Sequence, residues 1–263
     1  MLRSVLRAAA LTGVLALCAA PSANAADPDD PPPGRAQMGW KLHDERSADR
    51  SAAADTAVSG VPGIDVSSWQ GNVDWSAQRA AGNRFAYVKA TEGTSYTSSY
   101  FTQKYNGSYD AGMIRGAYHF ALPNKSSGAT QANHFVANGG GWSSDGKTLP
   151  GALDMEWNPY GATCYGKTKT QMRSWMNSFL NRYKTLTGRY PVIYSNTNWW
   201  NQCVGSDTSF ANKSPLWIAR YGSSAGSLPP GWGWYTFWQY TDDPIDKNVF
   251  NGSYTRLKAL ATG

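Results

Sequence analysis

Asp154 and Glu156 stand one residue apart in PGALDMEWNPY (residues 150–160), a run that is otherwise apolar. Carboxylates beside Leu, Met and Trp are costly to bury unless they have a partner or a task. In an extended strand, residues i and i+2 project to the same face. The two acids therefore point together, and Met155 turns away. Two close carboxylates repel when both are ionised, which raises the pKa of one. A protonated acid beside an ionised one is the equipment of glycoside hydrolysis. The same D-x-E spacing serves a structural ion-pair network equally well, so the pair alone does not decide the chemistry.

Further acids follow other apolar runs. GIDVSSWQG (63–71) places Asp65 near the end of one run, with Trp69 just beyond it. YVKATEG (87–93) adds Glu92, and TDDPIDKNVFNG (241–252) adds Asp242, Asp243 and Asp246. Asp242 and Asp243 read as a solvated turn, whereas Asp246 reads as functional. Flat aromatic rings suit sugar faces, and the chain holds 12 Trp and 15 Tyr, most of which core packing must absorb. Tyr118, Tyr194, Trp69 and Trp238 are the candidates for holding sugar rings, each against a core-packing alternative.

The elements that would position these groups alternate. Candidate strands cover residues 63–67, 85–90, 115–121, 151–156, 190–195, 215–221 and 234–240. Between them lie helical stretches at 74–81, 98–111, 127–138 and 253–261. The clearest helix is 169–187, where Met172, Trp175, Met176, Phe179, Leu180, Tyr183 and Leu186 form one apolar stripe and Gly188 supplies the stop. Such alternation, with strands that are apolar almost throughout, predicts a parallel sheet covered by helices. Seven or eight units favour closure into a barrel, whose active site lies at the C-terminal ends of the strands. Asp154 and Glu156 end the fourth strand. Closure would make the first and last strands neighbours, bringing Asp65 and Asp246 toward the same cleft. The fold class is thus α/β, a closed barrel forming a single domain over residues 61–263.

What precedes it differs in kind. Residues 1–25 read as a signal peptide: Arg3 and Arg7, then the apolar AAALTGVLALCAA, then an A-x-A site ending at Ala25. Leu17 before Cys18 fits lipid attachment poorly. No later run is apolar enough to span a bilayer, so the protein is expected to be exported and extracellular, free of the membrane once the signal is cut. Residues 26–60 are proline-rich, acidic and poor in groups to bury, which predicts a flexible linker or propeptide. MGWKL (38–42) is its one run with something to dock. Cleavage lowers the formal charge by two, from +6 to +4. This mild basicity suits an anionic wall polymer, and no Lys/Arg block suits nucleic acid. In an oxidising compartment, Cys164 and Cys203 read as one disulfide tying the loops after the fourth and fifth strands. His43, His119 and His134 lack ligand spacing, so no metal is expected. His119 should point away from Tyr118 and is read as structural. No phosphate-binding glycine loop and no G-x-S-x-G motif occurs, so no nucleotide cofactor and no serine-hydrolase chemistry is expected.

Taken in order, GIDVSSWQGNVDW, YVKATEG, GAYHF, LDMEW, YPVIYSN, LWIARY and FWQYT resemble the glycoside hydrolase family 25 lysozymes, the Chalaropsis-type muramidases. The resemblance runs from about residue 61 to the C-terminus. It implies a flattened, irregular TIM-like (β/α) barrel as a single catalytic domain. It also implies cleavage of the β-1,4 bond between N-acetylmuramic acid and N-acetylglucosamine in the glycan strands of peptidoglycan. By position, Glu156 matches the family's proton donor, Asp154 its partner carboxylate, Asp65 the acid after strand one and Asp246 the acid of the last loop. Asp242 and Asp243 are the alternatives at that last position. Asp154 would attack the anomeric carbon, activate water or orient the substrate's own acetamido group; the third role is favoured. A monomer is expected. The rivals are a chitinase-like glycosidase, disfavoured because LDME is shorter than the acidic run such enzymes carry, a wall-binding barrel without catalysis, and a structural exported protein.

Overall fold

The computed structural model describes residues 31–32, 34–42 and 58–263. The signal-peptide reading of residues 1–25 and most of the linker, His43 included, lie outside the described residues.

Nine strands form one sheet: β1 (Val61–Val66), β2 (Phe85–Glu92), β3 (Tyr96–Thr97), β4 (Ile114–Phe120), β5 (Ala152–Asp154), β6 (Val192–Ser195), β7 (Leu216–Ala219), β8 (Phe237–Thr241) and β9 (Lys247–Phe250). Pairing of β1 with both β2 and β9 closes the sheet, and β3 hangs outside as a short antiparallel partner of β2. The pairs from β1 through β2 and β4 to β8 are parallel. The expected meeting of the first strand with the last of the seven candidates does not occur. Antiparallel β9, unforeseen in the sequence, lies between β8 and β1.

Helices α1 (Trp75–Ala80), α2 (Phe101–Asp110), α3 (Gly128–Phe135), α4 (Lys169–Thr187), α5 (Thr197–Cys203) and α6 (Tyr254–Thr262) lie in the connections. The longest, α4, begins with a capping box between Thr168 and Gln171 and ends at left-handed Gly188. Its stripe from Met172 to Tyr183 is buried, whereas Leu186 is exposed. α3 packs on α4 so closely that a Cβ at Gly128 would collide with the Trp175 carbonyl.

The barrel interior is layered. Phe85, Tyr87, Trp217 and Phe237 fill its lower part, with the Tyr87 and Trp217 ring centroids 4.7 Å apart and those of Phe85 and Phe237 5.2 Å apart. One step toward the C-terminal strand ends, the inward positions become polar: Asp65, Lys89, Asp154, Gln239 and Asn248, all buried. Cys164 and Cys203 are bonded, joining the loop after β5 to the end of α5. They close a separation of 39 residues, for which loop entropy implies about 4 kcal/mol. Replacing both by Ala should therefore lower Tm by roughly 8–15 °C in calorimetry at neutral pH; a drop under about 3 °C would mean that the two loops hold together without the bond.

Candidate active site

Met155 keeps the strand geometry going past β5 by donating its N–H to the Tyr194 carbonyl at 3.0 Å. Asp154 and Glu156 accordingly both face the barrel's interior end, and Met155 is buried in the main apolar core. Neither Asp154 oxygen receives a protein donor among the described residues, and neither does Glu156 Oε2. The two carboxyls contact each other. Burial pushes both well above the usual carboxylate range. The Asp154 charge pushes Glu156 further up, whereas the Lys89 charge and then the contact with Glu156 draw Asp154 down. The proton therefore resides on Glu156, and Asp154 is the ionised member.

Asp65, from β1, lies across the barrel end. Its Oδ2 accepts from Asn248 Nδ2 at 2.7 Å and Gln239 Nε2 at 2.9 Å. Those amides are themselves held, Asn248 Oδ1 by Trp217 Nε1 (2.8 Å) and Gln239 Oε1 by the Tyr194 hydroxyl (2.7 Å). Burial outweighs the two donors and raises Asp65 to about 7. Of the three acids in the last loop, Asp246 is the buried one; Asp242 is half-buried and Asp243 exposed. The Asp65 N–H donates to the Asp246 carbonyl (3.2 Å), and the Tyr221 hydroxyl reaches Asp246 Oδ1 at 3.4 Å. Burial and the neighbouring Asp65 raise Asp246 as well.

Glu92 completes the acidic end. It pairs with Lys89 at 2.6 Å and accepts from the Tyr160 hydroxyl at 2.6 Å. Tyr118 and Tyr194 are buried at the floor, facing these acids. Trp69, 47% exposed, stands at the rim. Trp238 is not brought to the cleft. Gln239 points inward to Asp65, so Trp238 points outward, where it packs with Leu216, Ile218 and Val249 and donates to the Arg220 carbonyl at 2.7 Å. His119 is sandwiched between Thr91 Oγ1 (2.8 Å) and Gln131 Oε1 (2.9 Å), and burial lowers it to about 3, as befits a structural histidine. Among the described residues, no group of His, Cys, Asp and Glu is arranged to hold a metal ion.

The sequence reading missed Lys89, Tyr160, Tyr221, Gln239 and Asn248. A lysine inside the apolar run FAYVKA was the one available signal. It also missed the segment 34–42. Assigned by composition to a flexible linker, this segment is seated over the acids, with Ala36, Met38 and Leu42 buried and the Gly39 N–H donating to Glu156 Oε1 at 2.9 Å.

The family model described as "Glycosyl hydrolases family 25" matches residues 64–249. The chain belongs to this family. It is 49% identical to lysozyme M1 of Streptomyces globisporus over 98% of its own length and 93% of that protein's. With the N,O-diacetylmuramidase of a Chalaropsis species it shares 46% identity over 77% of this chain and 100% of the relative. A solved lysozyme from Streptomyces coelicolor superposes with a TM-score of 0.77 at 54% identity, covering 78% of this chain and 99% of the other.

An acid whose folded pKa is raised holds more protons in the native state than in the unfolded chain between the two values. Stability then falls as pH rises through that window. For Asp65 the window runs from about 4 to about 7. Urea titrations of the wild type should show stability falling from pH 4.5 to 7.5, and Asp65→Asn should shrink that fall by about 3 kcal/mol. Parallel wild-type and mutant pH curves would refute the assignment.

Proposed function

We propose that this chain is an exported, monomeric lysozyme that hydrolyses the β-1,4 bond between N-acetylmuramic acid and N-acetylglucosamine in peptidoglycan. One observation carries the reading: two buried carboxyls in contact, both held above the usual carboxylate range, at the C-terminal end of a barrel strand in a chain of this family. Glu156 is the general acid. It gives its proton to the glycosidic oxygen as the bond from that oxygen to the anomeric carbon breaks.

Asp154 acts beside it as an ionised partner. An inverting enzyme keeps its carboxyls about 6.5–9.5 Å apart to admit a water between them, whereas Asp154 and Glu156 are in side-chain contact. The substrate's own acetamido oxygen then attacks the anomeric carbon. Asp154 steadies the positive charge that develops on that acetamido group. Water opens the resulting ring and returns a proton to Glu156. Asp65 and Asp246 complete the acidic lining, and Tyr118, Tyr194, Glu92 and Trp69 contact the sugars. The composition of residues 1–25 supports export.

The test uses the exported chain, residues 26–263, on insoluble peptidoglycan, with borohydride reduction and mass spectrometry of the new ends. Reduced muramic acid is expected from the wild type. Glu156→Gln should lose about 10³-fold or more in rate. Reduced glucosamine would place the cut at the other bond. A second outcome concerns pH: because the Asp154 charge holds the Glu156 proton on, Asp154→Asn should move the alkaline limb of its residual activity to lower pH. A limb that stays in place would remove Asp154 from that role.

A further inference from the structure

The segment Gly34–Leu42 occupies the catalytic end of the barrel through the groups that the lysozyme reading assigns to glycan. The Gly39 N–H donates to Glu156 Oε1 at 2.9 Å, and the Gly34 N–H to Glu92 Oε1 at 3.1 Å. Lys89 Nζ donates to the carbonyls of Gly34 and Ala36. At the rim, Trp69 Nε1 donates to the Arg35 carbonyl, while the Arg35 guanidinium lies 4.1 Å from the Trp69 ring centroid. At the other end, Trp40 Nε1 donates to the Trp157 carbonyl at 3.3 Å. Ala36 and Met38 have no solvent-exposed surface.

The fit at the centre is specific to glycine. Gly39 has φ +74°, and a Cβ there would collide with the Tyr221 hydroxyl and come within 2.8 Å of Gln239 Oε1. Any side chain at this position would lift the backbone off Glu156. Beyond Leu42 the cleft continues as an open cavity of about 520 Å³, lined also by Asn196, Arg220 and Tyr221. The segment therefore covers the acids and leaves the neighbouring end of the groove free.

We infer that residues 34–42 are an autoinhibitory strap, which holds the enzyme off peptidoglycan until the chain between Leu42 and Val58 is cut. The strap and a glycan strand cannot both reach Glu156 Oε1 and the Trp69 face. While residues 43–57 tether it, the strap acts at an effective concentration of order millimolar. Once cut, it competes only at its bulk concentration and dissociates on dilution. The inference rests on the reading of Glu156 as the acid, since only then does the covered position block catalysis.

The experiment places a site-specific protease sequence within residues 43–57 of the full exported chain and cuts it after folding. Hydrolysis of insoluble peptidoglycan should rise at least 20-fold on cutting and dilution. Gly39→Val should raise the activity of the uncut chain at least 10-fold and leave the cut enzyme unchanged. A synthetic peptide of residues 31–42, labelled with a fluorophore, should bind the cut enzyme and be displaced by soluble glycan strands. Equal activity before and after cutting, or no binding of the peptide, would overturn the strap while leaving the lysozyme reading in place. If neither form hydrolyses the wall, the displacement assay still decides. Peptide displaced by glycan would show that the segment and glycan share one site but would overturn the catalytic reading and the autoinhibition with it, and an unbound peptide would overturn the strap.

Discussion

Four carboxyls, those of Asp65, Asp154, Glu156 and Asp246, are buried together at one end of a closed barrel, and much of the structure follows from keeping them there. Removing an ionised carboxylate from water costs several kcal/mol even after relaxation. Ion pairing is the usual remedy. Here the buried cation Lys89 is in contact with Glu92 at 2.6 Å, and only its longer-range charge bears on Asp154. The cluster is instead kept tolerable by protons and neutral donors. Burial holds Asp154 and Glu156 toward their protonated forms, and two side-chain amides meet Asp65. The groups around them, Tyr118, Tyr194, Tyr221, Gln239 and Asn248, are phenols and amides that shape the field without cancelling it. An arginine in their place would ionise the acids and leave no proton to donate.

This constraint explains why the closing strand matters. β9 runs antiparallel between β8 and β1, in a register that sets Gly63 opposite Asn248 and Gln239 opposite Asn248. One residue thus serves both neighbours, and its side chain reaches Asp65 from β1. The loop that precedes β9 delivers Asp246 to the same place.

The strap obeys the same rule. It meets the acids with backbone N–H groups rather than with a charged side chain, so it reaches Glu156 and Glu92 without setting a cation beside the carboxyl pair. The Gly39 hydrogen bond lowers the Glu156 pKa somewhat; without it, the acid would retain its proton more strongly. Its one guanidinium is kept at the rim, over Trp69, away from the buried carboxyls.

The i, i+2 spacing of Asp154 and Glu156 is a property of any extended chain, so their shared face was legible in the residues alone. The same holds for α4, whose stripe, capping box and terminal glycine all lie within one stretch. The alternation of apolar runs and helices was enough to indicate a closed α/β barrel with its acids at the strand ends. Lys89 and Glu92 were not legible as a pair, because an i, i+3 spacing puts them on opposite faces of a regular strand. A register shift between Lys89 and Thr91 turns them to the same side. Trp238 was misplaced for a related reason: its face depends on which neighbour of the pair Trp238–Gln239 the barrel needs inside, and Asp65, 174 residues away, decides that. Local pattern governs backbone periodicity, and periodicity names elements and faces. The strap and the strand β9 have weak patterns of their own. Their positions are set by what distant carboxyls require once burial has removed water as a partner, and that requirement exists only in the folded chain.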